Sequence, residues 1–520
     1  MGFNPQTGPT TVNTAQRRLS LNLIANFVGQ GWRGLMALLF VPFYVRILGV
    51  EAYGLIGLYT SLQLALALLD AGLRPTLARE MARFTGGAMD AAAIRVMLRS
   101  IELPLLALSL TIALIMFAAA PWLATSWVHP QSLDAATVTQ AFRMMGLVAA
   151  AQFLEAAYDS SLSGLQRQVL QNVIVTLIAT LRGFGALIVL WIAPRLTAFF
   201  QWQAAVAVLS CLLLALAVYR SLPPVDTRVR FSARALHSVR GYASGMFGIA
   251  VLALLLTQSD KFVLARYMPL SDLGHYTLAA SLVGVMAMLS GPIGSAFYPR
   301  LTELIHQGDN AAVAATFHRL SGLMALVVGS AAAMLVLFGE RLMNVWLHNP
   351  ELSARAAPLL ALLALAVLFN ALTSLPYFLQ LAHGVTRIAL RNNFALLFVF
   401  IPALVMAVSR FGAVGAAACA AALNIVAMAW SAVLTFPRYL PGAGRRWLLA
   451  DLARPLLTVF AVAFILSRIV PIASSLVVEG VLLAGSGLIV LAIGALTDPQ
   501  IRVIVLTKLA PALANSPSAK

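Results

Sequence analysis

Along most of its length the chain repeats one pattern, a long apolar run closed by a short polar break. A helix crossing a bilayer core of roughly 30 Å needs about 20 apolar residues. Windows of that length, separated by charged or Pro/Gly-rich breaks, predict fourteen spans: 21–47, 53–73, 98–125, 140–163, 169–191, 196–219, 241–268, 273–297, 317–338, 355–380, 388–409, 413–436, 450–471 and 475–496. No connection between them exceeds about 25 residues, too short for a globular catalytic domain on either side. The expectation is an all-α polytopic membrane protein with about fourteen transmembrane helices.

Composition agrees. Of 520 residues, 61% are hydrophobic and 10% charged, and the mean hydropathy is +0.90, far from any soluble globular chain of this size. The net charge of +17 would suit nucleic acid, but the placement of the basic residues argues for topology instead. With the N-terminus inside, one set of loops and tails holds 24 Lys/Arg, from Arg17 and Arg18 through Arg228, Arg230 and Arg234 to Lys520. The opposite loops hold six, Arg195, Arg266, Arg341, Arg355, Arg410 and Arg468. This positive-inside bias puts both termini in the cytoplasm. Arg17-Arg18 precedes an apolar run of about 27 residues without a small-x-small cleavage pattern, which reads as an uncleaved first span. Cys211 and Cys419 sit among Ala, Leu and Ser in helices 6 and 12 and read as packing residues. The sequence contains no G-x-x-x-x-G-K-[ST], H-E-x-x-H, C-x-x-C or G-x-S-x-G, so neither ATP hydrolysis nor a metal or other cofactor is expected.

Two stretches resemble each other. GLQRQVLQN, Gly164 to Asn172, and GVTRIALRN, Gly384 to Asn392, share G-x-x-R-x-x-x-x-N at a separation of 220. Tyr53 and Tyr276 open helices 2 and 8, and Glu80 and Glu303 follow the ends of those helices, both pairs 223 apart. Concordant offsets divide helices 1–6 from 7–12. An even number of helices per half means that both enter the membrane in the same direction, the parallel type of repeat, related by an axis along the membrane normal. The organisation expected is therefore an N-terminal lobe over 1–225, a linker and C-terminal lobe over 226–440, and two accessory helices with a tail over 441–520. Ser221 to Arg240, basic with Phe231, Leu236 and Val239, reads as a cytoplasmic linker carrying a surface helix.

Ionisable groups in hydrocarbon cost roughly 2.5–3.5 kcal/mol each on insertion scales, so each requires a partner, a wet cavity or a function. The cations Arg33, Arg182 and Lys261 and the carboxylates Asp70, Glu155, Asp159 and Asp260 all fall in or beside predicted spans. Glu155 and Asp159, four apart, share a helix face, where two carboxylates repel unless a cation or proton sits between them; the alternative for Asp159, closer to the cytoplasmic surface, is simple hydration. Glu155 and Arg182 lie roughly 18 and 22 Å deep across the helix 4–5 hairpin, which allows a structural bridge. Asp260 and Lys261 point about 100° apart and cannot pair side by side. Lys261 either snorkels or faces a cavity. Arg33, flanked by Gly31 and Gly34 that permit close helix approach, either bridges to Asp70 or lines a cationic chamber. A dry Arg/Lys chamber suits an anionic group such as a phosphate. Pro42, Gly291-Pro292 and Pro376 are candidate bending points.

With these features in place, the chain resembles the Wzx-type O-antigen and exopolysaccharide flippases of the multidrug/oligosaccharidyl-lipid/polysaccharide exporter superfamily. The residues carrying the likeness are the N-x-x-x-x-x-x-G of Asn22 to Gly29, PFYVRILGVEAYGLIGLYTSL, LLDAGLRPTLARE, TQSDKFVLARY, LGHYTLAASL and YPRL. The resemblance implies ion-coupled alternating access by two six-helix lobes. It implies transfer of an undecaprenyl-pyrophosphate-linked glycan from the cytoplasmic to the periplasmic leaflet of a bacterial inner membrane. The partners it implies are that glycan, H⁺ or Na⁺, membrane lipids and the polysaccharide polymerase machinery. Asp260 matches the aspartate of the family's helix 7 motif, whereas Arg33, Arg182 and Lys261 match only its habit of a cationic lumen. Lipid II flippases and multidrug antiporters of the same superfamily are the alternatives, and a membrane glycosyltransferase or ligase is disfavoured by the short outer loops WVHPQSLDAATVTQ and GERLMNVWLHNPELSARA.

Overall fold

A computed structural model describes residues 29–69, 73–225, 230–233, 251–252, 254–385 and 387–497. The secondary structure described is helical, and the chain divides into two compact units, one of residues 1–258 with Pro269–Ser271, the other of Ser259–Met268 with 272–520.

In the first unit, α1 (residues 29–39) leads into α2 (Val41–Leu69), followed by α3 (Leu73–Thr85), α4 (Ala91–Trp122), α5 (Ala135–Gly164), α6 (Gln168–Ile192) and α7 (Leu196–Ser221). The α2 segment is two helices meeting at Gly49, whose φ of 85° is one that a side chain rarely tolerates. Ring contacts show the turn: Tyr44 packs on Phe199 at 5.1 Å and Tyr59 on the next residue, Phe200, at 5.5 Å. On a straight helix Tyr44 and Tyr59 would stand about 22 Å apart. Beyond the turn, Glu51 accepts hydrogen bonds from the backbone N–H of Gln131, and from the N–H (2.8 Å) and hydroxyl of Ser132. The stretch GVEAYG therefore makes a turn with its glycine and holds the α4–α5 connection with its glutamate.

The second unit holds most of α8 (residues 254–267), then α9 (Leu270–His306), α10 (Asn310–Leu337), α11 (Gly339–Leu347), α12 (Pro350–Ala382), α13 (Arg387–Tyr439), α14 (Ala443–Arg446), α15 (Arg454–Ile469) and α16 (Leu476–Thr497). The 53 residues of α13 double back at Gly412 (φ 58°, ψ −140°). A Cβ on Gly415 would stand 2.2 Å from the Ala407 carbonyl oxygen, although eight residues of continuous helix span about 12 Å. Trp430 Nε1 reaches back to donate to Asn392 Oδ1 at 3.1 Å, closing the hairpin. The last two helices pack on α10 through Leu326, Ala333, Met334, Val459, Leu483 and Val490.

The internal repeat is visible in the turns. Gly87 and Gly308, 221 positions apart, take φ of 77° and 73°, and each is followed by an aspartate N-cap, Asp90 on Ala93 N–H and Asp309 on Ala312 N–H. Gln166 and Gly384 make a second matched turn, with φ of 58° and 73° and 6→1 bonds Arg167 N–H to Leu162 O and Val385 N–H to Gln380 O. The left-handed residue of the first copy is thus Gln166, and Gly164, which the sequence motif aligns with Gly384, instead lies where a Cβ would meet the Ala78 carbonyl at 2.3 Å.

Ten stretches among the described residues are long and apolar enough to cross a membrane, and one of them, Leu390–Tyr439, contains both arms of the α13 hairpin. Helix α5 is not among the ten, because Arg143, Glu155 and Asp159 interrupt its apolar character. The predicted spans 21–47 and 241–268 are only partly described.

Candidate functional site

In the first unit, polar side chains from four helices gather around Tyr59. Gln63 Nε2 donates to the Tyr59 oxygen and to Gln152 Oε1, both at 2.6 Å. Ser210 on α7 donates to Glu155 Oε1 at 2.7 Å. Arg182 on α6 lies within electrostatic reach of Tyr44 and Tyr59, and Glu155 within reach of Tyr59. Glycines set this approach: a Cβ at Gly183 would meet the Phe40 ring at 2.2 Å, and one at Gly185 the Trp202 indole at 2.1 Å. They let α6 lie close against the α1–α2 junction and α7. Arg182 Nε is buried and has no hydrogen-bond partner among the described residues, nor does the buried Gln203 Oε1 of α7.

For the Glu155–Arg182 bridge allowed by depth, no ion pair is shown among the described residues: Glu155 accepts from Ser210, and Arg182 and Glu155 both lie within electrostatic reach of Tyr59. Glu155 and Asp159 also part company, since Asp159 Oδ1 accepts from Gln171 Nε2 on α6 at 2.8 Å. No group of three or more His, Cys, Asp or Glu suited to a metal occurs among the described residues. Arg33 is exposed, its Nε donating to Gly29 O at 3.3 Å, and beside it Trp32 Nε1 donates to Thr180 Oγ1 at 2.9 Å. Gly31 has nothing near its missing Cβ; the close approach falls at Gly29, against Asn172. Asp70, and with it the Arg33–Asp70 alternative, lies outside the described residues.

In the second unit, Asp260 accepts from the Tyr276 hydroxyl across the α8–α9 turn, and its other oxygen accepts Lys261 N–H at 2.9 Å. Tyr276 is fully buried, so TQSDKFVLARY and LGHYTLAASL are coupled by one hydrogen bond. Lys261 is half-buried as a residue and makes no ion pair with Asp260 among the described residues.

Three further charged groups escaped sequence reasoning. Glu102, buried on α4, accepts from the hydroxyls of Tyr158 and Tyr219 (2.8 Å) and from Arg99 at 2.9 Å. His318 on α10 pairs with Asp451, while Trp447 Nε1 donates to Ser321 Oγ at 3.1 Å. Arg341 on α11 pairs with Glu479 on α16 and donates to the carbonyls of Val470 and Pro471 at 3.0 and 2.8 Å. The members of each pair stand 133 and 138 residues apart, beyond any spacing rule.

Glycine-hinged helical hairpins, an internally repeated set of capped turns and an incompletely partnered polar interior define a multi-pass helical membrane protein. The chain belongs to the family described as "Polysaccharide biosynthesis protein", whose profile matches residues 19–305. It is 28% identical over 221 residues to the succinoglycan biosynthesis transport protein ExoT of Rhizobium meliloti (strain 1021), a match covering 40% of this chain and 39% of that protein. The chain thus matches well under two thirds of that relative's length. Its fold is similar to the lipid II flippase MurJ in an inward closed conformation, with a TM-score of 0.70 and 11% identity over 94% of this chain and 99% of that one. It is also similar to a multidrug resistance MATE family transporter of the MOP superfamily in an inward-facing conformation, with a TM-score of 0.63 and 13% identity over 78% and 95% of the two chains.

Proposed function

We propose that this protein is a transporter, not an enzyme, which moves an undecaprenyl-pyrophosphate-linked oligosaccharide from the cytoplasmic to the periplasmic leaflet of a bacterial inner membrane. In this reading both termini are cytoplasmic. Two six-helix lobes over 1–225 and 226–440 alternate access, driven by H⁺ or Na⁺, and the helices after 440 are accessory. Family membership and the likeness to a succinoglycan transport protein support the reading.

The observation that carries it is Arg182. A guanidinium deep in an apolar bundle is costly unless saturated, yet its buried Nε has no hydrogen-bond partner among the described residues. Its planar fork suits two phosphate oxygens, and in a dry site that attraction strengthens. Arg33, exposed on the neighbouring α1, and Lys261 in the second unit are assigned the same anionic group at other stages of transfer. Glu155, Asp159, Asp260 and Asp70 are the candidate coupling carboxylates.

The test uses sealed vesicles holding the purified protein and a labelled undecaprenyl-pyrophosphate oligosaccharide, read with a membrane-impermeant reagent. Protein-dependent exposure of the lipid, lost in Arg182→Ala and reduced in Arg33→Ala, is expected. Flipping by both variants at the wild-type rate would remove the cationic chamber. A rate indifferent to the collapse of both ion gradients would remove the coupling.

A further inference from the structure

Helix α12 carries a row of polar residues along one face. Asn370, Thr373, Ser374 and Tyr377 follow the 3-4-7 spacing of a single helix face, whereas Leu368, Ala371, Leu372 and Leu375 are buried on the others. Asn370 is exposed, yet it lies 20 residues into a 33-residue apolar helix. Its Nδ2 donates to Asn424 Oδ1 on α13 at 3.0 Å, and Thr373 Oγ1 lies 3.5 Å from the Asn424 carbonyl. Tyr377 and, on α9, Tyr298 are 38% and 36% exposed, and both rings pack against Phe378.

Asparagines often join membrane helices as glue, but glue is buried, and it needs no pair of exposed tyrosines in register with it. An amide facing lipid tails would leave the carbonyl of Asn370 without any partner in hydrocarbon. The face therefore meets water or a polar ligand. Every group on it is neutral: the Thr373 and Ser374 hydroxyls donate to Phe369 O and Ala371 O and present acceptor oxygens, beside the Asn370 amide and two tyrosine rings. That combination matches a pyranose, which offers hydroxyls at its rim and C–H groups on its flat face, and it offers nothing to a phosphate.

We infer that Asn370, Thr373, Ser374, Tyr377, Asn424 and Tyr298 form a recognition strip for the uncharged, hydroxyl-rich sugar portion of the transported lipid. The inference rests on the flippase reading and deepens it by naming residues of the second unit that recognise the glycan. Asn370 Oδ1 accepts from a sugar hydroxyl, and the tyrosine rings cover a sugar face.

Two measurements on the full-length protein in lipid nanodiscs test this. In a Cys211→Ala/Cys419→Ala background, Asn370→Cys is compared with Val426→Cys for reaction with a cationic, membrane-impermeant thiosulfonate. Val426 lies two residues beyond Asn424, on the opposite side of α13 and 52% exposed. At least a tenfold faster reaction at position 370 is expected; equal, slow reaction would overturn the strip whatever the lipid. The second measurement compares binding of undecaprenyl pyrophosphate with and without a neutral glucose–galactose disaccharide. Asn370→Leu is expected to weaken the glycosylated lipid about tenfold, and Tyr377→Phe, the gentler change, about threefold. Both should leave the bare lipid within twofold, whereas Arg182→Ala weakens both lipids. Wild-type binding that gains nothing from the disaccharide overturns the strip and spares the flippase; no binding of either lipid overturns the flippase reading and this inference with it.

Discussion

The last two helices of the second unit and the interior of the first unit both hold charge in apolar surroundings, but they treat it in opposite ways. Arg341 spends its guanidinium on Glu479 and two turn carbonyls, and Glu479 takes in addition the Ala473 N–H at 2.8 Å. With His318–Asp451 and Trp447–Ser321 at the other end of α15, these two helices are fastened to α10 and α11 at two levels. No such set surrounds Arg182 among the described residues. In a medium that cannot solvate it, a saturated charge holds helices together, and in the proposed reading the incompletely satisfied Arg182 is the one that takes the anionic group.

Mutating the two arginines separates the two roles most strongly. Arg341→Ala leaves Glu479 buried without its cation, which should cost about 3–5 kcal/mol. The expected result is a large fall in thermal stability in detergent, with flux per folded molecule retained. Arg182→Ala should do the reverse, cutting flipping by roughly tenfold or more, the loss of about 1.4 kcal/mol or more of differential binding, at an unchanged melting temperature. A destabilised Arg182→Ala with normal flux would make Arg182 one more fastening. Glu102 offers an intermediate case. Tyr158→Phe removes one of the hydrogen bonds to a buried carboxylate and should cost about 1.5–3 kcal/mol, read by the same melting assay, without altering transport.

Much of the architecture was legible from periodicity, because the apolar runs are long and their breaks coincide with turns. The expected breaks at 48–52 and 410–412 contain Gly49 and Gly412, where the helices do reverse. The charges were legible as anomalies but not as partners. Depth along adjacent helices places Glu155 and Arg182 near one level, but it does not give the rotation of each helix, on which a partner such as Ser210 for Glu155 depends. Arg341 was counted as an outer-loop positive charge, since nothing within 100 residues of it reveals Glu479. The α12 strip was hidden for another reason: Asn, Thr, Ser and Tyr are unremarkable singly in a membrane helix, and their meaning depends on which face is left uncovered.

The smallest effects sharpen the comparison between the repeats themselves. The α6–α7 connection turns through Ala193 and Arg195 with no left-handed residue, whereas its counterpart within α13 turns at Gly412 with φ of 58° and ψ of −140°. Gly412→Ala should therefore cost about 1–2 kcal/mol, the strain of forcing a Cβ into that conformation. Gly31→Ala is the control, being helical, exposed and without a neighbour within 4 Å of the new methyl. Removing glycine's backbone freedom there should be neutral or stabilise by up to about 1 kcal/mol. If Gly31→Ala were instead to destabilise, the close approach expected from sequence at that position would be real, and α1 would pack there against a surface that the described residues do not contain.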